Sequence, residues 1–424
     1  MRVCLVGAAH PCHNPRLIRE ADALAESGHQ VRVVTPCHSA SLAAKDQRLM
    51  SRRKWRLQQV DFRPVGIFDR WRAFLIRGRR RAVNRCRSWL GIRGLGWAEL
   101  AYTLALPELK RLAAAEPADW FIAHTQAALP VAAWAARRQN AKLGFDCEDL
   151  LWYSPGDPVE IVRAIETAYL PQCEYVSAPS QAIGKKLEEA YGVTSLVLLN
   201  VFPCTLAANM QSPVARSWRP KVKLHWFSQV IGPGRGIEDA VAALQWLDKD
   251  VELHLRGFCS EDYRVQLNDL AFDFGVSSRL FCYPQVDHDD LIEAMADYDI
   301  GLALERPENS NSGLTISNKL FSYLLAGLPV IATETPGHLE ALAAIPQASA
   351  TYPAGDARAL AKRIERWSSN PQALREAQQC AWESARETYC WEQESLKFLK
   401  IFESRDRSMA GVMAPGGESV CAKS

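Results

Sequence analysis

The chain has 424 residues, 48% of them hydrophobic, and a formal net charge of only +2. This length exceeds what one hydrophobic core supports and favours two domains, while the balanced charge excludes a general attraction to nucleic acid. The twelve cysteines include no Cys-x-x-Cys pair, which argues against a zinc site or a disulfide framework and indicates reduced thiols in the cytosol. The N-terminus runs straight into a strand, and no apolar run is long enough to cross a bilayer. We therefore expect neither a signal peptide nor a membrane span.

The first 35 residues have the pattern of a strand, a helix and a second strand, which predicts a right-handed βαβ unit. Asn14 can cap the helix, and Gly7 follows the first strand. A glycine at this point lets a ligand approach the strand end closely, although most such glycines serve only the turn. His10 and Arg16 crowd the same region, and an ordinary surface role is the alternative for each.

Residues 52–93 differ in composition from everything around them. They carry fourteen basic residues against two acidic ones, so the segment has a charge of +12 and the rest of the chain −10. Trp55, Trp71 and Trp89 stand among these charges. Such a mixture suits an anionic membrane surface, single-stranded nucleic acid, or a solvated face that arginine stems cover. We favour a membrane or lipid-linked partner, because nothing else in the chain resembles a nucleic-acid-binding module.

Four polar side chains follow predicted strands in the first half of the chain. His124 follows one strand, and Asp146, Glu148 and Asp149 follow the next. Parallel strands place their carboxyl ends at one edge of a sheet, where α/β folds bind ligands. One histidine at a strand end is often structural, but four polar groups on one edge favour a cleft.

Residues 202–220 contain three prolines and little periodicity, so we interpret them as a linker. A second set of strands and helices follows, and its first strand, 223–227, leads into a glycine-rich loop at 228–236. Glycines at a strand-to-helix turn can cradle phosphate, and an arginine among them strengthens this otherwise weak signal. The residues of this predicted cradle are Gly232, Gly234, Arg235 and Gly236.

The stretch 305–340 follows a buried strand and holds a polar loop, a helix and another strand. Its loop contains Glu305 and Glu308, and Ser317 stands at the N-cap position of the helix. Backbone N–H groups at such a helix N-terminus favour an anionic ligand. Lys319 in the first turn is unfavourable beside the helix dipole unless an anion is present. The alternative is an ordinary solvent-facing lysine.

Together these features resemble glycosyltransferases of the two-domain GT-B architecture and, more specifically, family 4 of the retaining enzymes. The likeness spans about residues 1–403, and its most specific block is NKLFSYLLAGLPVIATETPGHLE. The other matching segments are NPRLIREADALAESGHQVRVVT, APSQAIGKKLEEAYGV with LLNVFP, GPGRGIEDAV, GDARALAKRIERW and the late WE pair. The resemblance implies an α/β fold with two Rossmann-like domains facing across a cleft.

The resemblance also implies a division of the chain. Residues 1–205 would form an acceptor domain with the basic insertion 52–93, and residues 206–390 a nucleotide-sugar donor domain. A helix at 391–404 would return toward the N-terminal domain, and the polar tail at 405–424 would be disordered. We therefore expect a cytoplasmic enzyme, peripheral on the membrane, that moves a sugar from a nucleotide sugar to a glycan or lipid-linked acceptor.

Candidate roles for individual residues follow from the same resemblance. Arg235 and Lys319 would neutralise the donor diphosphate, so neither a metal ion nor another cofactor is expected. The remaining donor-side candidates are Gly232, Gly234, Gly236, Asn318 and Ser322. The acceptor-side candidates are Gly7, His10 and Arg16. The catalytic candidates are His124, Asp146, Glu148, Glu305 and Glu308.

The chain departs from the family pattern on the donor side. The family has two glutamates eight residues apart, and Leu314 and Ser322 stand in their places. Ser322 can still bond a ribose hydroxyl, but Leu314 cannot replace a carboxylate. This leaves Glu305 or Glu308 as candidates to hold the sugar. Gln229 also stands where the family has a loop arginine.

Two other functions fit the same residues. An epimerase of nucleotide sugars on this fold would use acids and a histidine between the domains, for which His124, Asp146 and Glu148 qualify. A degenerate, non-catalytic protein that binds a partner glycosyltransferase through its basic region would explain the missing glutamates. Asp146 also stands where the family often has a histidine.

Overall fold

A computed structural model places the chain in two parallel β-sheets with helices packed against them, which confirms the predicted α/β fold of two Rossmann-like domains. Glu308 and the tail at 405–424 lie outside the part of the chain that the structure describes. The described residues are 1–90, 94–153, 158–217, 219–286, 288–306 and 311–403.

The N-terminal domain contains a seven-stranded parallel sheet. Its strands are β1 (Arg2–Gly7), β2 (Gln30–Cys37), β3 (Arg56–Asp61), β4 (Trp120–His124), β5 (Lys142–Asp146), β6 (Tyr175–Ala178) and β7 (Ser195–Val197). Its helices are α1 (Pro15–Glu26), α2 (Ala40–Met50), α3 (Ile67–Leu90), α4 (Leu95–Tyr102), α5 (Leu106–Ala113), α6 (Leu129–Gln139), α7 (Val159–Tyr169) and α8 (Gln181–Tyr191). The strand order β3-β2-β1-β4-β5-β6-β7 reverses between β1 and β4, so ligands are expected at the carboxyl ends of these two strands.

The C-terminal domain contains a six-stranded parallel sheet. Its strands are β8 (Val222–Ile231), β9 (Val251–Cys259), β10 (Leu280–Tyr283), β11 (Ile300–Ala303), β12 (Val330–Thr333) and β13 (Ser349–Tyr352). The helices after β8 are α9 (Ile237–Ala243), α10 (Glu261–Asp273), α11 (His288–Ala294), α12 (Asn311–Leu314), α13 (Asn318–Ala326), α14 (Pro336–Leu342), α15 (Ala357–Ser368), α16 (Pro371–Glu387) and α17 (Trp391–Glu403). The strand order β10-β9-β8-β11-β12-β13 reverses between β8 and β11.

The first strand of the C-terminal domain is longer than its sequence indicates. We predicted a strand at 223–227 and a loop at 228–236, but β8 continues to Ile231. The pairing of β8 with β9 shifts register between Phe227 and Val230 and then resumes. The prediction was wrong because a β-bulge lets a strand continue past residues that break the alternating pattern.

The chain passes between the domains twice, and the two crossings lie side by side. Phe202 forms an isolated parallel bridge with Cys390, and the N–H of Trp391 donates to the carbonyl of Phe202 at 3.1 Å. Helix α17 then buries Phe398 and Phe402 in the hydrophobic cluster that includes residues of α1, β1 and β2. The last described helix therefore packs into the N-terminal domain.

Hydrogen bonds from loops and a helix end connect the two domains directly. The Asn311 side chain donates to Asp149 Oδ1 at 2.7 Å. The Glu340 carboxylate accepts from the backbone N–H groups of Gln181 at 2.8 Å and Ala182 at 3.3 Å. These N–H groups begin α8, where a carboxylate satisfies unpaired donors and complements the helix dipole.

The basic segment divides into a buried part and an exposed helix. Trp55 and Phe62 are 2% and 0% exposed and belong to the core of the N-terminal domain. Ile76 on α3 is buried in the same domain. The burial of these side chains excludes them from a membrane-facing surface, so the prediction of such a surface is wrong for Trp55. Among the described residues, no helix is long and apolar enough to cross a membrane.

Candidate active site

A cleft of about 740 Å³ opens between the two domains. It is lined from both sides, and its described lining residues include three cations and no carboxylate. The cations are Arg19 from α1, Arg256 from β9 and Lys319 from α13. Other lining residues are Pro15, Asn200, Phe202, Ser228, Gln229, Gln285, Ser317, Asn318 and Ser322. A cleft of this size and charge suits an anionic, nucleotide-sized ligand.

The N-terminus of α13 faces this cleft through Asn318 and Lys319. Ser317 has the extended backbone of an N-cap, but its side chain makes no capping hydrogen bond to the helix. Its Oγ instead donates to Glu305 Oε1 at 2.8 Å. The first backbone N–H groups of the helix therefore lack this side-chain acceptor, and an anion in the cleft would satisfy them.

Glu305 holds Lys319 in place. Its carboxylate accepts from Lys319 Nζ at 2.6 Å and lies 3.7 Å from His338 Nε2. Burial alone would raise the pKa of Glu305, but Lys319, His338 and Ser317 together lower it to about 2. Glu305 is therefore ionised at neutral pH. Its side chain is 19% exposed, and its second oxygen, Oε2, is buried without a hydrogen-bond partner.

Arg256 is a cleft cation that we did not single out from the sequence. It donates to Tyr298 Oη at 3.2 Å and to the carbonyl of Pro284 at 3.3 Å. The next residue, Gly257, allows β9 to approach β8, because a Cβ there would lie 2.5 Å from the carbonyl oxygen of Ser228. An arginine and a glycine at the end of a parallel strand were the only sequence signal for this position.

Arg19 is the cation that the N-terminal domain contributes to the described lining of the cleft. It is a second cleft cation that we did not identify from the sequence. Its guanidinium donates to Asn200 and lies 5.7 Å from the ring centroids of both Phe202 and Trp391. Burial, and then the neighbouring Arg16, lower the pKa of Arg19 to about 10. The group stays protonated at neutral pH, and a buried cation of this kind gains from an anionic partner.

The glycine loop lies beside the cleft, which Ser228 and Gln229 at its start help to line. The four residues of the predicted phosphate cradle, Gly232, Gly234, Arg235 and Gly236, are not among the described residues that line it. Gly234 and Gly236 have φ values of 74° and 70°, which favour glycine. A Cβ on Gly236 would also lie 2.3 Å from the carbonyl oxygen of Leu304. Arg235 is exposed and donates to Ser228 Oγ at 3.2 Å, so it is linked to the cleft through a lining residue. A Cβ on Gly232 would meet no atom nearer than Val230 Cγ1, at 3.6 Å.

Arg16 and Asp146 form the centre of a buried charge network in the N-terminal domain. Two guanidinium nitrogens of Arg16 donate to the two carboxylate oxygens of Asp146, at 2.5 and 2.8 Å. Burial would raise the pKa of Asp146, but Arg16 and His124 hold it well below its usual range. A third Arg16 nitrogen donates to the carbonyl of Leu198 at 2.9 Å. Arg16 therefore joins α1 to the carboxyl ends of two strands.

His124 completes this network. Its Nε2 lies 3.2 Å from Glu20, and its Nδ1 lies 3.5 Å from both Asp146 and Glu148. Burial would lower the pKa of His124, but Glu20, Asp146 and Glu148 raise it well above its usual value. The imidazole is therefore protonated at neutral pH and neutralises the surrounding carboxylates.

Burial restricts what this network can do chemically. His124 and Asp146 are both 0% exposed, so in this structure neither touches a molecule in the cleft. The geometry does not support our prediction that they act on substrate and indicates a role in holding α1 against the sheet. Glu148 has a side chain that is 21% exposed and accepts from Asn14, so it is the accessible carboxylate of this cluster.

The acceptor-side candidates Gly7 and His10 are also accounted for by packing. A Cβ on Gly7 would lie 2.9 Å from Leu17 Cδ1, so a larger residue would displace α1. His10 is fully buried, with its Nδ1 2.6 Å from Asp46 and its Nε2 accepting from the N–H of His38 at 3.1 Å. Both nitrogens of His10 are thus occupied within the protein.

The two positions that replace the family's glutamates have different surroundings. Ser322 lines the cleft, and its Oγ donates to the carbonyl of Asn318 at 3.0 Å. Leu314 packs against the hydrophobic core of the N-terminal domain, and its carbonyl accepts from Ser180 at 2.7 Å. Leu314 therefore contributes to the contact between the domains, where a carboxylate would be partly buried.

Comparison with protein families agrees with this architecture. Residues 14–199 match the glycosyl transferase 4-like domain, and residues 224–370 match the domain of glycosyl transferases group 1. The chain is a GT-B glycosyltransferase. Its resemblance to family 4 is confirmed by these two matches. No curated sequence matches the chain significantly.

Solved glycosyltransferase structures share this fold. HepE from Anabaena, in complex with UDP-glucose, superposes with a TM-score of 0.63 at 17% identity and covers 95% of this chain and 100% of its own. A glycosyltransferase from Rickettsia africae gives 0.65 at 13% identity, with 95% and 98% covered. The lipopolysaccharide outer core galactosyltransferase WaaB, in its apo form, gives 0.62 at 12%, with 96% and 100% covered. At these identities the likeness establishes the fold alone.

Proposed function

We propose that this glycosyltransferase moves a sugar, with retention of anomeric configuration, from a nucleotide sugar in the interdomain cleft to a lipid-linked acceptor. The observation that carries the proposal is the set of three cations, Arg19, Arg256 and Lys319, that converge on the cleft from both domains. A diphosphate is the anionic group that all nucleotide sugars share, and these cations would bind it. HepE has been solved with UDP and with UDP-glucose, which supports a donor of this class.

In the proposed complex the diphosphate lies at the N-terminus of α13. Lys319 and the first backbone N–H groups of the helix would bind it from one side, and Arg256 from the other. Gln229, which stands where the family has an arginine, also lines the cleft. Arg256 lines the same cleft and supplies the charge that Gln229 lacks.

In the transfer, the bond between the anomeric carbon and the phosphate oxygen breaks, and the acceptor oxygen bonds to the same face of that carbon. The proton of the acceptor hydroxyl passes to an oxygen of the departing diphosphate. The protein's contribution is to stabilise the negative charge that develops on this leaving group, which Lys319 and Arg256 do electrostatically. No metal ion is required in this scheme.

Glu305 is the proposed carboxylate for the sugar hydroxyls, in place of the family's glutamate at position 314. It is ionised, partly exposed and fixed by Ser317 and Lys319 at the edge of the cleft. Glu308, the other sequence candidate, lies outside the described residues.

A lipid-linked acceptor is proposed because α3 presents apolar and basic side chains together. Phe68 is 88% exposed, and Trp71, Phe74 and Leu75 are each 62–63% exposed. Arginines on the same helix are also exposed, namely Arg70, Arg72, Arg77, Arg80, Arg81 and Arg85. Large apolar side chains rarely stand so far out of a protein unless something covers them. The surrounding positive charge makes an anionic lipid surface on the cytoplasmic side the proposed partner.

The epimerase alternative receives no support from the site. It needs an acid and a base in contact with the sugar, and His124 and Asp146 are both sealed inside the N-terminal domain. Of the three residues considered for this reaction only Glu148 is accessible, and one carboxylate cannot serve as both the acid and the base.

Two measurements test the proposal. Thermal unfolding with UDP, other nucleoside diphosphates and their sugars should show stabilisation, because a ligand at 100 times its Kd adds about 2.7 kcal/mol. Transfer to a polyprenyl phosphate-linked acceptor should then give a product with the donor's anomeric configuration, read by NMR. Inversion would refute the retaining mechanism, and the absence of any nucleotide-dependent stabilisation would refute the donor site.

A further inference from the structure

A cluster of metal-ligating side chains lies where the chain crosses between the domains, apart from the proposed donor residues. It comprises Cys204, Cys390 and Glu392, whose ligand atoms all lie within 4.8 Å of one another. Cys204 belongs to the first crossing, while Cys390 and Glu392 belong to the second. The three groups therefore come together only because Phe202 and Cys390 pair the crossings.

Backbone contacts position the carboxylate beside the thiols. Both oxygens of Glu392 accept from the N–H of Cys204, at 3.0 and 3.2 Å. The Cys390 thiol donates to the carbonyl of Arg386 at 3.3 Å, which fixes it at the end of α16. A metal ion would therefore find the side chains already close, so little conformational freedom would be lost when it binds.

The three groups differ in exposure in a way that suits a cation arriving from solvent. Cys390 is buried, Cys204 is half-buried, and Glu392 is exposed. Two thiolates and one carboxylate make a set of sulfur and oxygen ligands, and tetrahedral zinc takes such ligands with water in the fourth position. The exposed side of Glu392 leaves room for that water.

We propose that Cys204, Cys390 and Glu392 bind one soft divalent cation of the Zn²⁺ type, which clamps the two interdomain crossings together. Binding replaces the two thiol protons, which pass to solvent, with two metal–sulfur bonds, so no oxidant or reductant is needed.

Binding of the cation displaces both thiol protons, so the affinity of the site should increase with pH.

The test uses the full-length protein, reduced and kept free of oxygen, with Co²⁺ as the spectroscopic probe and Zn²⁺ as the competitor. Wild-type protein should develop the near-ultraviolet absorption of cobalt bound to thiolate, and Zn²⁺ should abolish it. Cys204→Ser and Cys390→Ser should each lose this absorption, and Glu392→Gln should weaken binding. Cys173→Ser is the matched control, because Cys173 is a half-buried free thiol outside the cluster that donates to the carbonyl of Tyr169 at 3.5 Å.

A chelator competition then counts the bound Zn²⁺. The wild type should retain one more cation per chain than the variant Cys204→Ser/Cys390→Ser, and the melting temperature of the wild type alone should rise with Zn²⁺. Equal zinc retention by the two proteins would overturn the proposal. The proposal would also be overturned if glutathione disulfide oxidised Cys204 and Cys390 to a disulfide while the reduced protein gave no cobalt–thiolate absorption. Neither outcome bears on nucleotide binding, which is measured separately.

Discussion

Replacing Lys319 with alanine tests the donor site directly. Lys319 Nζ lies 2.6 Å from Glu305 and at the cleft surface, so the variant removes a cation from the proposed diphosphate. A hydrogen bond to a charged group contributes about 1.5–3 kcal/mol, which corresponds to a roughly 10- to 150-fold weaker Kd for UDP. The expected loss lies in the lower part of this range for the hydrogen bond alone, because Lys319 is already paired before the ligand arrives.

The ion pair adds a second contribution to the same experiment. Without Lys319, the Glu305 carboxylate loses its cation and repels the diphosphate by about 2 kcal/mol, for charges about 8 Å apart at an effective dielectric constant of about 20. The double variant Lys319→Ala/Glu305→Gln should therefore bind UDP roughly thirtyfold more tightly than Lys319→Ala alone.

Isothermal titration calorimetry measures the Kd of UDP for the wild type, for Lys319→Ala and for the double variant. Lys397→Ala is the control, since Lys397 also pairs with a glutamate, Glu394, but on α17 and not at the cleft. An unchanged Kd in Lys319→Ala would refute the assignment of the diphosphate. A double variant that binds more weakly than Lys319→Ala would refute the repulsion between Glu305 and the ligand.

Three further predictions concern stability and membranes. The pKa of Glu305 is lowered from 4.5 to about 2, so its ion pair stabilises the fold above pH 4.5 and this stabilisation is lost as the pH falls toward 2. In urea titrations, Glu305→Gln should therefore lose less stability over that pH range than the wild type. The pKa of His124 is raised, so its contribution is complete below pH 6.5 and is lost as the pH rises through the raised value. His124→Gln should cost roughly 3–5 kcal/mol at pH 6, since it leaves buried carboxylates without their cation, and a cost that does not shrink at alkaline pH would contradict this reasoning. Wild-type protein should co-sediment with anionic but not neutral vesicles and dissociate as salt rises. The variant Trp71→Ser/Phe74→Ser should bind the anionic vesicles weakly, and the control Trp134→Ser should bind them normally. Equal partitioning of these proteins would remove the membrane from the proposal.

The sequence was sufficient to predict the repeating strands and helices and the cation at the start of α13. Periodicity and capping residues act locally, so Lys319 could be placed at a helix N-terminus without tertiary information. The sequence also placed His124 and Asp146 at strand ends, as β4 and β5 show. It could not show that α1 covers them, because their exposure depends on a helix more than a hundred residues away.

The remaining site residues were missed for a related reason. Arg19 lies on the inner side of a helix and reaches the cleft only because Asn200 and the aromatic rings of the crossings hold it there. The absence of a Cys-x-x-Cys pair argued against a metal site, yet Cys204 and Cys390 meet although 186 positions separate them. Spacing rules detect ligands on one local segment, and they do not detect ligands that tertiary structure assembles.

The return of α17 to the N-terminal domain limits how such enzymes exchange their halves by recombination. A donor half cut from this chain at a single point after β7 would carry Phe398 and Phe402 away from the α1 surface that they cover. The recipient would then expose an apolar surface, and the transplanted half would carry a helix without its partner. A functional chimera therefore needs two junctions, one at each crossing, with α17 taken from the same parent as α1. Substrate specificity in this architecture can thus be exchanged as an insertion into the acceptor half, but not as a simple C-terminal fusion.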